Sequence, residues 1–190
     1  MKKIAIFASG SGSNAENIIT ALANNPDITV DSIFCNVPDA YVLERAKKFH
    51  IPAVVFNRKE LNDPANILHQ LRERQIDFIV LAGFLWLMPP AITTAYPNRI
   101  VNIHPALLPA YGGKGMYGSR VHEAVIAAGE KKSDITIHYV NEHYDEGNII
   151  FQAGCDIIPE DTPDTLAQKV HALEYEHFPH VIIETISKLR

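Results

Sequence analysis

Short, nearly continuous apolar runs at residues 4–8, 30–35, 53–56, 78–82 and 100–104 alternate with amphipathic stretches at 14–24, 41–49, 63–74 and 90–96. That rhythm predicts repeated strand–helix–strand units. Runs without polar interruption are expected of parallel strands covered by helices on both faces, so the pattern points to an open, doubly wound sheet. A helical pattern over 119–128 is followed by two longer alternating runs, 134–140 and 148–158, which predict a two-stranded antiparallel extension. Thr162-Pro163-Asp164 supplies a capping residue and then a proline at the first helical position, opening a long helix to about residue 187. The expected fold class is therefore α/β: one domain over 1–190, a mostly parallel sheet and an antiparallel C-terminal extension. No internal repeat or low-complexity linker suggests a boundary.

Composition narrows the partners. A chain of 190 residues, 47% hydrophobic and 21% charged, is long enough to bury a full core. A net charge of -5 lacks the basic footprint that a nucleic-acid backbone requires. Cys35 and Cys155 are too few for a disulfide framework and lack CxxC spacing, which fits a reducing cytoplasm. Neither a signal peptide nor an apolar run long enough to span a membrane is expected.

The first apolar run ends in Ser9-Gly10-Ser11-Gly12-Ser13-Asn14-Ala15 immediately before a helix. Glycines there allow close backbone approach, and free amides at a helix start attract an anion. The string also reads as G-x-G-x-x-A, yet the acid that a dinucleotide site needs after the second strand is replaced by Cys35-Asn36. A phosphate ester of mononucleotide size is the better expectation; a bare Gly/Ser turn with a capping side chain is the bland one.

Asn102-Ile103-His104-Pro105-Ala106-Leu107-Leu108-Pro109 carries the densest chemistry, joined some forty residues later by Asp145-Glu146-Gly147. On a strand, Asn102 and His104 share one side, and Pro105 holds His104 extended. Acyl transfer from an amide-like donor to an amine needs an oxyanion donor, a proton shuttle and a group that tunes the shuttle. Asn102, His104 and Asp145 supply these in turn, with Asp145 expected to hold the histidine charged. No serine stands in a nucleophile elbow and Cys155 lies within a strand pattern, so direct amine attack is the simpler course. His138 and His143 near Asp145 make a metal cluster conceivable, but no compact pairing supports one and none is expected.

These motifs, in this order and across essentially the whole chain, resemble the folate-dependent formyltransferases, in particular the branch acting on glycinamide ribonucleotide in purine synthesis. The resemblance implies a Rossmann-like variant in which 10-formyltetrahydrofolate, a co-substrate, donates formyl to the amine of glycinamide ribonucleotide. It matches Asn102, His104 and Asp145 to the family's catalytic trio. It places the ribonucleotide phosphate on Gly12, Ser13 and Asn14 and its ribose hydroxyls on Glu174. Leu85, Trp86, Leu87 and Met88, with Asn102, correspond to the folate pocket. Some family members carry Arg where Trp86 stands, which leaves Arg58 or Lys59 for the folate glutamate tail. Residues 112–118 form a longer, glycine-richer loop than in the shorter family members, as a flap beside the ligands would. A monomer or homodimer is expected.

Three rivals remain at this stage. Hydrolysis of the same donor would use the same trio, but gives no reason for the phosphate loop and Glu174. Transfer to methionyl-tRNA sits poorly with an acidic chain without an RNA-binding extension. A non-catalytic nucleotide sensor is the alternative of a different class.

Overall fold

In a computed structural model, which describes residues 1–189, all seven strands join one sheet in the order β3-β2-β1-β4-β5-β6-β7. The strands are β1 (Lys2–Ala8), β2 (Ile28–Cys35), β3 (Ala53–Val55), β4 (Phe78–Leu81), β5 (Ile100–His104), β6 (Lys132–Tyr139) and β7 (Ile149–Asp156). β1 through β5 pair in parallel, whereas β5–β6 and β6–β7 are antiparallel. The helices are α1 (Ser13–Leu22), α2 (Val42–Lys48), α3 (Arg58–Asn62), α4 (His69–Glu73), α5 (Pro90–Ala95), α6 (Ser119–Ala127) and α7 (Pro163–Ser187).

Period two in β1 sends Ile4, Ile6 and Ala8 into one core with residues of α1, α2, α6 and α7. Ala5 and Phe7 go to the opposite core, which lies under α4 and α5. That is why the strands read as unbroken apolar runs. The second core is rich in aromatic rings: Phe7 stacks on Phe34 at 4.8 Å and meets Phe56 and Phe84 edge-on.

The helical pattern at 63–74 is realised as a wide π-helical turn, Pro64–Leu68, running into α4. Asp63 accepts the Ala65 N–H ahead of it. Before it stands α3, which the apolar periodicity did not predict; the available signal was Asn57-x-x-Glu60, a capping box with both reciprocal bonds made. α7 begins at the expected Thr162 cap. It continues through Pro179, whose ring nitrogen cannot donate to the Tyr175 carbonyl. Asn17 of α1 supplies that donor instead, its Nδ2 lying 2.9 Å from Tyr175 O.

The chain lays β2 and β3 to one side of β1, then crosses to put β4 and β5 on the other. The switch between β1 and β4 opens a crevice at the strands' carboxyl ends, where α/β sheets bind ligands. Among the described residues, no helix is long and apolar enough to cross a membrane.

Candidate active site

A cavity of about 580 Å³ fills this crevice, with Ser9 to Asn14, Leu85, Asn102, His104, Asp145 and Glu174 among its lining. Its floor is tied together by Ser9. The Ser9 hydroxyl donates to Asn36 Oδ1 at 2.6 Å and accepts from the Leu85 N–H at 3.0 Å. Asn36, which stands where a dinucleotide site would carry an acid, is thus committed to binding the β1 loop to the β4 loop. Gly12 opens α1 in the left-handed region at φ 73, with no side-chain cap. A Cβ there would strike Val42, so only glycine lets the turn sit this close to α2. The capping role that Ser or Asn could have played is not used.

Asn14 faces α7 across the cavity and donates to Glu174 Oε2 at 2.9 Å. Glu174 is 6% exposed, and burial pushes its carboxyl above the ordinary range against the opposing pull of Asn14 and His171. Asn14 Oδ1 is buried without a partner among the described residues.

β5 brings Asn102 and His104 to the other side of the cavity, and register places His138 of β6 directly beside Asn102. Asp145 reaches both histidines: its Oδ2 lies 3.6 Å from His104 Nδ1 and its Oδ1 3.5 Å from His138 Nε2. Asn102 Nδ2 is 3.4 Å from Asp145 Oδ1 and 3.2 Å from His138 Nε2. The backbone holds Asp145 at φ 55, and a Cβ at Gly147 would collide with the Tyr139 carbonyl. The Asp-x-Gly turn therefore seats the carboxylate against β6. The Gly113 N–H also donates to Asp145 Oδ2, at 3.0 Å.

Beyond His104 the chain is pinned by buried Thr136, whose hydroxyl donates to Ala106 O at 2.7 Å and accepts from Leu108 N at 3.1 Å. His104 Nε2 is 2.7 Å from the Tyr111 carbonyl. A carbonyl only accepts, so this nitrogen carries a proton and Nδ1 is the one that changes state.

The charge expected on His104 is corrected here. Burial is the largest influence and lowers its pKa; Asp145 and the Tyr111 carbonyl push upward without overcoming it, and His138 adds to the lowering. At 3% exposure the imidazole loses more hydration than one carboxylate offsets, so its pKa lies below the ordinary histidine value. Burial also raises Asp145, yet the His138 hydrogen bond, the two imidazoles and the Gly113 N–H together carry it below the ordinary carboxylate range. The result is an imidazole shifted toward its neutral form beside a carboxylate shifted toward its ionised form.

The expected folate residues are spread unevenly. Leu85 is 42% exposed and lines the cavity, whereas Met88 is 1% exposed and belongs to the core, so it shapes the wall only from behind. Trp86 packs edge-on against Phe56 and Phe84, with Leu87 half-buried beside it in sequence. The Arg58 guanidinium lies 4.6 Å from the Trp86 ring centre, while Lys59 is exposed on α3.

Sequence reasoning considered His138 only as part of a metal cluster; strand alternation opposite Asn102 was the signal for its place in the network. It gave no role to His122 or His171, which line the cavity from α6 and α7 and carry no motif.

Comparison with known proteins decides the family. The formyl transferase family matches residues 2–182. This chain belongs to the formyl transferase family. It is 42% identical over 187 residues to the phosphoribosylglycinamide formyltransferase of Bacillus subtilis, covering 96% of this chain and 93% of the relative. It is 41% identical over 189 residues to the chloroplastic phosphoribosylglycinamide formyltransferase of Arabidopsis thaliana, covering 95% of this chain but spanning 64% of that longer protein. A crystal structure of phosphoribosylglycinamide formyltransferase from Bacillus halodurans superimposes with TM-score 0.88 at 41% identity, covering 98% of this chain and 96% of that one. In this formyl transferase the matching architecture includes both the parallel sheet and the antiparallel strands that carry His138.

Proposed function

We propose that the protein transfers the formyl group of 10-formyltetrahydrofolate to the amine of glycinamide ribonucleotide, a step of purine synthesis, with both ligands meeting in the crevice beside His104. The observation that carries this reading is one cavity combining the Asn102–His104–Asp145 network with an anion-ready loop and the buried Glu174 carboxylate. A hydrolase would have no use for the second half. Gly12, Ser13 and Asn14 take the phosphate, where free amides begin α1. Glu174 accepts from the ribose hydroxyls, and the unpartnered Asn14 oxygen offers a further acceptor at that end.

The amine attacks the formyl carbon, forming a new C–N bond and an oxyanion that Asn102 Nδ2 stabilises by hydrogen bonding. Neutral His104 takes the proton that the attacking nitrogen releases, and Asp145 holds the imidazolium that results. Collapse of the oxyanion breaks the bond to the folate nitrogen, which receives the proton back from His104. Burial that keeps the resting imidazole neutral thus suits the first step, and Asp145 suits the second. The reduced pterin lies against Leu85 and the backbone around Trp86 and Leu87, with Met88 behind. Arg58, held on the Trp86 ring, meets the glutamate tail in preference to Lys59, which has no such support. The chemistry needs no metal, and two free thiols suit a reducing cytoplasm.

Absorbance on mixing the protein with 10-formyltetrahydrofolate, with and without glycinamide ribonucleotide, tests the assignment. Turnover only with the ribonucleotide is expected. Turnover without it would mean hydrolysis, and none in either mixture would leave a sensor.

A further inference from the structure

A phosphate monoester brings nearly two negative charges at neutral pH, whereas the start of a helix offers the equivalent of only about half a positive one. The loop that would receive it has no spare cation of its own. Arg45 lies beside this loop, but its Nε donates to Ser11 O at 2.7 Å and its guanidinium pairs with Glu16. Lys48 pairs with the same Glu16 at 2.6 Å. One fixed acid in the first turn of α1 therefore engages both neighbouring bases.

Among the described residues lining the cavity, the one lysine or arginine is Lys114. It enters no salt bridge among the described residues and is exposed. It also stands on a built turn. Gly113 and Gly115 flank it at φ 93 and 89, and the Met116 N–H closes on Gly113 O at 3.1 Å. The Gly113 N–H anchors that turn to Asp145. Only glycine occupies such backbone cheaply, so the turn presents one long, flexible cation from the roof of the cavity toward the ligands.

We propose that Lys114 supplies the positive charge that the phosphate seat lacks, reaching across the cavity to the ribonucleotide phosphate held by Gly12, Ser13 and Asn14. The proposal rests on the phosphate reading given above. It makes Lys114 a binding residue that senses whether the substrate is phosphorylated, on a turn whose other end touches the catalytic carboxylate.

The test compares wild type, Lys114→Ala and Lys114→Arg on glycinamide ribonucleotide and on the riboside lacking the phosphate. Loss of a charge-assisted contact should cost Lys114→Ala roughly ten- to hundredfold in kcat/KM on the ribonucleotide. It should cost little on the riboside. Lys114→Arg should retain most of the activity, and the KM for 10-formyltetrahydrofolate should stay unchanged. Equal losses on both substrates, or a loss confined to folate KM, would overturn the role of Lys114. If wild type favours the ribonucleotide and Lys114→Ala favours it just as strongly, the phosphate loop stands and Lys114 falls. If wild type does not distinguish the two substrates, the phosphate reading itself fails and takes the proposal with it.

Discussion

The floor and the roof of the cavity are both rich in glycine, yet they are built in opposite ways. On the floor, Ser9 is locked between Asn36 and Leu85, and the space beside Gly12 is occupied by Val42. On the roof, Gly113 and Gly118 have nothing within 4 Å of where a Cβ would be, and Lys114 and Tyr117 are exposed. A close-packed floor presents fixed amides to a ligand, while a roof with few buried contacts can move around it. Glycine means contact at Gly12 and freedom at Gly113 and Gly118, while Gly112, at the base of the roof, packs against Leu108. His104 sits at their junction, held by β5 from below and by the Tyr111 carbonyl from the roof segment.

The largest effect should come at that junction. His104→Ala should lower kcat about 10²- to 10⁴-fold, the usual contribution of a positioned acid–base group, with ribonucleotide affinity nearly unchanged. Near-normal turnover would remove His104 from the mechanism. The contrast between the walls is tested by making the same substitution in each. Gly12→Ala meets both Val42 and a left-handed φ, so it should destabilise by about 2 to 4 kcal/mol and raise the ribonucleotide KM roughly tenfold or more. Gly113→Ala meets only the φ penalty, about 1 to 2 kcal/mol, most of it absorbed by local movement. Urea unfolding and kinetics on the pair decide; similar losses would mean that the roof is as rigid as the floor.

A smaller effect concerns protonation. An NMR titration of unliganded protein should find His104 half-protonated below its ordinary value of 6.5, because burial outweighs Asp145. Asp145→Asn removes the upward influence and should move the midpoint lower still. Since the folded state then resists a proton that the unfolded chain accepts, His104 makes stability fall as pH drops from 6.5 toward the lowered midpoint. A midpoint above 6.5 would mean that the carboxylate governs the imidazole after all. The smallest effect is expected from Thr162→Ala, far from either wall's contacts. Loss of the α7 capping box should cost about 1 kcal/mol in urea unfolding while leaving the ribonucleotide KM in place, although the same helix carries Glu174.

How legible each part was follows from the range of the forces involved. Strands buried on both faces announce themselves as apolar runs, and the Thr162 cap acts within one turn, so β1, β4, β5 and the start of α7 could be read locally, while β3 at the sheet edge is a short apolar run left exposed at Ala53 and Val55. α3 escaped because five residues are too few for a hydrophobic period, although its capping box was visible. Asn102 and His104 were placed together by period two along one strand. Asp145 was joined to them by motif and resemblance, since nothing local says that a turn after β6 folds back onto β5.

The chain's own order of residues therefore determined the α/β class, the glycine loop before α1 and the placing of Asn102 and His104 on one side of one strand, because these depend on neighbours within a few positions. Only the tertiary structure decided that His138 lies beside Asn102, that Asn36 is spent on Ser9, that Arg45 is committed to Glu16 and that His104 rests neutral. Burial and pairing between distant segments set those outcomes, and the hydration a side chain loses depends on every element that packs around it.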